Sequence, residues 1–432
     1  MGGTLHLMRI TLATLGSFGD LHPFLAIGRG LQVRGHTVTL ATCPIYEAKV
    51  MAVGLRFAPL RPDAPVPEEA SALAAKVMDA QDGTRAVIQD WLLPVLHDTY
   101  ADLAAACEGA DLLLNHTIVF PGPLLSQKTG LPFLSVVLQP IVFFSVSDPC
   151  ILPPLPRWQG FPRLPKFLVR FAFQQGWRLT RPWARPVDAL RAELGLPPDP
   201  RNPLIEGQFS PLGTLALFSS ALAAAQPDWP QNAVQTGFAF YDSLDGQTEA
   251  LSPELEAFLD SGESPIVFTL GSSAVMTAGD FFVEAVKATQ QLGRRAVLLT
   301  GRDQPVPPNL PTSIRAVPYA PHSLLMPRGA ATVHQGGVGT TAQALRAGKP
   351  QVIVPFAHDQ PDHAARITRA GLGKTVYRNQ CNAHTLTAAL APLLKDTALQ
   401  ARCRVVGEQL QQEDGVVRAC EAIERLAAAL VK

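Results

Sequence analysis

Charge is what this chain has little of. Only 17% of its 432 residues are charged, and 36 Lys and Arg balance 36 Asp and Glu. A nucleic-acid partner calls for a basic excess, which is absent here. The six cysteines (Cys43, Cys107, Cys150, Cys381, Cys403, Cys420) form no C-x-x-C pair. A zinc site or disulfide framework is therefore not expected, and a reducing cytosol fits. No apolar run reaches the ~18 residues of a membrane-spanning helix. No basic-then-apolar leader opens the chain, because strand-like MRITLATL begins almost at once. No Asp-x-Asp pair occurs either, and no metal or cofactor is expected. Apolar residues, in contrast, make up 47%. That suffices for a large core and argues against disorder. The length favours two or three domains.

The pattern along the chain alternates strand and helix. Residues 8–15 read as a strand, 16–19 as a turn, 21–33 as a helix with Pro23 near its start, and 37–41 as the next strand. Further strands are expected at 112–115, 133–138 and 213–218. The second half repeats the logic with strands at 266–270, 296–299, 331–334 and 352–355 and a helix at 281–292. Such alternation predicts an α/β chain of two doubly wound, Rossmann-like halves with parallel sheets. We place an N-terminal domain at 1–237, a linker at 238–250, a C-terminal domain at 251–410 and a final segment at 411–432, within one long helix from about 399 to 431. Ligands bind beyond the carboxyl ends of parallel strands, so two such sheets define a cleft.

The most informative stretch is residues 333–360, VHQGGVGTTAQALRAGKPQVIVPFAHDQ. A strand ends at His334. The turn Gly336-Gly337-Val338-Gly339 follows, and Thr340 and Thr341 open a helix. Bare N–H groups at the positive end of a helix dipole make a phosphate site. Asp359 and Gln360 arrive at the same edge and suit sugar hydroxyls. Gly271-Ser272-Ser273 ends another strand and either approaches the same phosphates or is an ordinary strand-to-helix turn. Tyr319, before Pro321, offers an aromatic face to a base or else fills the core. His334 is either a phosphate contact or a satisfied core histidine. In the first half, Asp20 follows the first strand. It is either a general base or a helix cap, since Asp is favoured there. His22 is a rival base, and His36 reads as structural.

The string from Tyr319-Ala320-Pro321-His322 through His334 to Asp359-Gln360 resembles the donor-binding motif of the family 1 nucleotide-sugar glycosyltransferases, which have the GT-B fold. Gly16-Ser17-Phe18-Gly19-Asp20 with Pro23 resembles the opening of bacterial members. The resemblance implies an inverting, metal-independent hexosyltransferase. It implies Asp20 as catalytic base and a donor site built from Gly271, Ser272, Ser273, Tyr319, Pro321, His334, Gly336, Gly337, Val338, Gly339, Thr340, Thr341, Asp359 and Gln360. It also implies that the last helix returns to the first domain. Plant members carry a Glu eight positions after the motif's His that holds the ribose hydroxyls; here that position is Ala342. A dTDP-sugar, such as dTDP-L-rhamnose, would lose nothing by this, and UDP-glucose remains open. Ala225-Gln-Pro-Asp-Trp-Pro230, Thr236-Gly-Phe238 and Val267-Phe-Thr-Leu-Gly-Ser-Ser273 are most similar to the rhamnosyltransferase branch that builds bacterial rhamnolipids. That branch implies a hydrophobic hydroxylated acceptor, a lipid or a small aglycone. The alternatives are a nucleotide-sugar epimerase on the same fold and a non-catalytic activator subunit. A nicotinamide dehydrogenase is disfavoured, because Gly16-x-x-Gly19 is not G-x-G-x-x-G.

Residues 149–187 hold seven basic side chains and no acidic one, interleaved with aromatics. This composition suits either contact with an anionic membrane surface or a solvated face over a core helix. The expected location is cytoplasmic, with peripheral membrane contact at its inner face as a further possibility.

Overall fold

In the computed structural model, residues 7–63, 67–152, 164–243, 250–302 and 304–428 are described. Arg157, Trp158, Phe161 and Arg163 of the basic aromatic segment, residues 244–249 of the linker and residues 429–432 of the final segment lie outside them.

Short strands rich in apolar residues can be covered on both faces, and the interior strands here are buried along their length. Seven parallel strands form the first sheet: β1 (Arg9–Ala13), β2 (Thr37–Thr42), β3 (Arg56–Pro59), β4 (Leu112–His116), β5 (Phe133–Val137), β6 (Thr214–Ala216) and β7 (Ala233–Gln235). Six form the second: β8 (Ile266–Thr269), β9 (Ala296–Leu299), β10 (Ile314–Val317), β11 (Ala331–His334), β12 (Gln351–Ile353) and β13 (Gly373–Thr375). The orders are β3-β2-β1-β4-β5-β6-β7 and β10-β9-β8-β11-β12-β13. Each order reverses once, between β1 and β4 and between β8 and β11. Those switch points are where a doubly wound sheet opens a crevice at its strand ends. The two-sheet α/β architecture expected from the alternation is therefore present. The alternation does not reveal β3, β7, β10 and β13. They are edge strands of three or four residues, largely half-buried or exposed, and carry no apolar run to betray them.

Six helices position the cleft and its flanks. They are α1 (Phe18–Val33), α2 (Lys166–Thr180), α3 (Val338–Arg346), α4 (Gln360–Arg369), α5 (Thr397–Gln412) and α6 (Gly415–Ala428). α1 starts three residues earlier than expected, because Ser17 caps it: the Ser17 hydroxyl accepts from the Gly19 N–H at 3.3 Å.

The single terminal helix expected over 399–431 is instead two. The chain leaves helical geometry at Glu413 (φ −77°, ψ 124°) and re-enters it at Gly415. Gly415 lies so close to the linker that a Cβ there would sit 2.3 Å from the Phe238 carbonyl oxygen. The break lets α6 cross back and bury Ala419, Cys420 and Ile423 in the core formed by α1, β1 and β2. Its Glu424 accepts from Arg34 Nε and Nη2 at 2.7 and 2.6 Å and lies 3.1 Å from His36 Nε2. The Arg34 guanidinium holds the Glu424 carboxyl below its usual range. His36, whose Nδ1 also accepts from the Met8 N–H, is structural.

Candidate active site

Two helix N-termini face each other across the cleft. α1 follows β1, and α3 follows β11, each beside its sheet's switch point. Their second residues, Gly19 and Gly339, nearly touch: a Cβ on Gly339 would lie 3.8 Å from Gly19 Cα. A Cβ at that distance would make ordinary van der Waals contact, so the two turns come together closely without a clash.

Asp20 is the third residue of α1. Its Oδ2 accepts from the Ser17 N–H at 2.8 Å and from the Ser17 hydroxyl at 3.4 Å. Both bonds fall on Oδ2, which leaves Oδ1 for an incoming hydroxyl. Capping and base are thus compatible here rather than exclusive. Gly16 makes room for the carboxylate: its φ is +115°, and a Cβ would meet Asp20 Oδ2 at 2.3 Å. Burial raises the Asp20 carboxyl to about 7, opposed by the Ser17 N–H and helped by the Asp359 charge on the facing lobe. A base poised near neutrality suits proton abstraction.

His22 is turned elsewhere. Its ring stacks on Phe18 at 5.2 Å and packs against Tyr241 of the linker at 5.1 Å. Burial, with Lys49 and His322 nearby, pushes its imidazole down to about 3, so it stays neutral.

On the opposite side, α3 begins at Val338 with Gly337 as its cap. The N–H groups of Val338, Gly339 and Thr340 open its first turn. Thr341 does not belong with them: its N–H donates to the Gly337 carbonyl at 2.9 Å and its side chain is fully buried. The direct diphosphate contact expected of His334 is likewise not available. His334 is fully buried, its Nδ1 accepts from the Gly336 N–H at 3.1 Å, and its Nε2 donates to Gln351 Oε1 at 2.9 Å. Burial pushes this imidazole down to about 4. His334 therefore shapes the glycine turn from beneath. The Gly336 N–H is spent in the same bond.

Asp359 is half-buried at the cap position of α4, 3.4 Å from His363 Nδ1. Gln360 is 5% exposed, and its Oε1 accepts from the N–H groups of Phe356 and Ala357 at 2.8 and 3.2 Å. Only its amide end is left for a ligand. Gly271 (φ +65°) abuts Gln335, where a Cβ would lie 2.3 Å from Nε2, so the β8 and β11 turns share one floor. Ser272 is exposed, Ser273 and Tyr319 are half-buried, and Pro321 is buried as the cap of a short helix. Among the described residues, no three His, Cys, Asp or Glu side chains gather as a metal site.

The comparisons with known proteins agree with this geometry. The model described as "Erythromycin biosynthesis protein CIII-like, C-terminal domain" matches residues 291–423, and "Glycosyltransferase family 28 N-terminal domain" matches residues 10–90. The O-mycaminosyltylonolide 6-deoxyallosyltransferase of Streptomyces fradiae is 34% identical over 430 residues, spanning 97% of this chain and 98% of its own. This chain belongs to the family 1 glycosyltransferases of the GT-B fold. Among solved structures, the glycotransferase of kitacinnamycin superposes with a TM-score of 0.73 at 21% identity, over 98% of this chain and 99% of that one. A Streptomyces sp. SF2575 glycosyltransferase complexed with thymidine diphosphate gives 0.61 at 20% identity, over 97% and 99%.

The glycosyltransferase also has cleft residues that sequence reasoning missed. Gln335 is one, spanning the two glycine turns. Asp148, Asp362 and Arg366 are others: they join the lobes along the helix that follows Asp359. Nothing in their local sequence marks them, since the partners that join the lobes lie more than 200 residues apart.

Proposed function

We propose that this hexosyltransferase moves a sugar from a nucleoside diphosphate onto a hydroxyl of a hydrophobic acceptor, with inversion, using Asp20 as base. Asp20 Oδ1 takes the acceptor proton as the acceptor oxygen bonds to the anomeric carbon. The bond from that carbon to the diphosphate oxygen breaks, and the diphosphate leaves bearing the electron pair. The N–H groups of Val338, Gly339 and Thr340 meet that charge as preorganised dipoles. Asp359 and the Gln360 amide hold the sugar hydroxyls. The observation that carries the reading is the carboxyl of Asp20, tuned to about 7, standing opposite the α3 N-terminus.

Ala342 is buried at the position where plant relatives have a ribose-binding Glu. The donor we favour is accordingly a dTDP-sugar, dTDP-L-rhamnose first, with UDP-glucose as the competitor. The thymidine diphosphate held by one structural neighbour is in keeping with this. For the acceptor, the Streptomyces fradiae relative is named for a glycosylated tylonolide, and the likeness to the rhamnolipid branch points to a hydroxy-fatty-acid lipid. The shared chemistry is a hydroxyl on an apolar body. Mass spectrometry of products from dTDP- and UDP-sugars set against hydroxylated lipids and macrolide aglycones tests both ends. We expect dTDP-sugars to give the larger yield. UDP-glucose outperforming every dTDP-sugar overturns the donor assignment, and donor epimerised without any acceptor overturns the transferase reading.

Contact with an anionic membrane surface is a second element of the reading. Phe167, Phe171 and Leu179 on α2 are 69%, 59% and 78% exposed, beside exposed Lys166, Arg170 and Arg178. Apolar and basic side chains on one helix suit the headgroup region. No described helix is long and apolar enough to cross a membrane. We expect co-sedimentation with phosphatidylglycerol vesicles that weakens with salt and is lost in the F167S/F171S variant. Wild-type protein that stays in the supernatant removes this element.

A further inference from the structure

The Gln226-Pro-Asp-Trp-Pro230 motif grips the loop that follows β5. The Trp229 ring stacks on Phe143 at 4.4 Å. Asp228 accepts from the Ser145 hydroxyl and from the Val146 N–H, both at 2.7 Å, and from the Ser147 N–H at 3.3 Å. Phe144, at φ +44°, is held there by edge contacts with Phe173 and Trp177 at 5.5 and 5.9 Å. A strained residue persists only where its surroundings over-determine it. The loop is thus pinned from two sides within its own lobe.

Its far end reaches the other lobe. Asp148 accepts from Arg366 Nη1, and from Arg369 Nη2 at 3.0 Å. Arg366, 4% exposed, also donates to Asp362 at 2.7 Å, and Asp362 accepts from the Ile151 N–H at 2.9 Å. Asp362, Arg366 and Arg369 all lie on α4, whose first turn opens with Gln360 after Asp359 as its cap. On the other flank of that turn, Thr84 Oγ1 lies 3.2 Å from His358 Nδ1, and Arg378 donates to the Met78 carbonyl at 3.2 Å. The donor-sugar edge is bracketed by contacts from the lobe that supplies the base.

We propose that Asp148 is a positioning residue for the transfer: through Arg366 and Arg369 it fixes the helix bearing Asp359 and Gln360 relative to the lobe bearing Asp20. The inference rests on the donor reading. The diphosphate is held within one lobe by α3, so its affinity does not depend on the bracket. The alignment of the sugar carbon with Asp20 does, and a displacement of about 1 Å can cost on the order of a hundredfold in rate. Arg366 keeps Asp362 when Asp148 is lost, so Asp148→Asn leaves no buried charge unpaired.

The test compares wild type, D148N and D148E as full chains, by amide hydrogen exchange with mass spectrometry and by calorimetric titration with dTDP. In D148N, exchange should rise by about tenfold or more in residues 145–151 and 359–366, the scale of typical site-to-site coupling, and stay unchanged in residues 338–346. Affinity for dTDP should hold, kcat for the productive donor should fall by about tenfold, and D148E should recover most of the rate and of the protection from exchange. Exchange in 359–366 equal to wild type overturns the proposal. So does a rise spread evenly over the chain, which marks a general loss of stability. Wild type that binds neither dTDP nor UDP instead sinks the donor reading, while the exchange data still decide the role of Asp148.

Discussion

Replacing Asp20 by Asn lowers kcat by about a hundredfold to ten-thousandfold, the range expected for loss of a positioned base, while dTDP binds at its wild-type affinity. The shape is nearly conserved. An amide can still accept from the Ser17 N–H, so the start of α1 survives. Only the proton acceptor is gone. The pH dependence makes the result specific. Burial raises the Asp20 carboxyl to about 7, so the base is protonated and idle below that pH. Wild-type kcat therefore rises through about pH 7 and levels off above it, and D20N lacks that limb. The linkage has a second consequence. A folded pKa above the unfolded value means that the folded chain favours the protonated group. Stability is full below the unfolded carboxylate value near 3.8 and is lost as pH rises through about 7. D20N is spared that loss, so at pH 8 it should melt no lower than wild type. Thermal melts at pH 5 and pH 8 with steady-state rates across the same interval check both signs. A flat wild-type profile, or full turnover by D20N, removes Asp20 from the chemistry.

Gly336→Val should weaken dTDP binding by roughly tenfold to a hundredfold. The φ at Gly336 is +93°, where a β-branched residue is strained by about 1–3 kcal/mol. A Cβ would also stand 2.8 Å from Ile353 Cγ2 and 3.2 Å from the Gln360 carbonyl oxygen. The second contact is with backbone and cannot be relieved by a rotamer. Gly336 further ties three parts together. Its N–H donates to His334, and its carbonyl accepts from His363 Nδ1 at 2.7 Å on α4. Moving it shifts the start of α3 and the Asp359 edge together. Each 1.4 kcal/mol of lost alignment is a tenfold loss in affinity. Calorimetric titration with dTDP, alongside circular dichroism to show a folded chain, measures the effect. An unchanged dissociation constant would mean that the nucleotide does not rest on this turn.

Much of the fold is readable in the residues, and the failures have physical causes. Interior strands such as LLLNH and FLSVV are buried along their whole length and are apolar in three or four of five residues, and the pattern locates them. RFAP and GKT lie at sheet edges, where nothing requires an apolar run. The glycine turn announces itself through its backbone, because bare N–H groups need small residues beside them. The role of His334 is not legible. Whether its ring points to a ligand or to Gln351 depends on a strand pairing that one sequence does not display. Asp148 and Arg366 are silent for a related reason, since 218 positions separate two charges that meet. The break before Gly415 is hidden because the obstacle, the Phe238 carbonyl, comes from a stretch distant in sequence.

The return of α6 to the opening lobe fixes how this enzyme can be recombined. A hybrid that borrows a relative's second sheet through a single crossover between β7 and β8 would also import a foreign terminal helix and set it on α1. Glu424 would then be lost from Arg34 and His36 unless the relative happened to supply an equivalent acid. Exchanging halves cleanly takes two seams, one between β7 and β8 and one at residues 413–414, so that the tail stays with the front of the molecule.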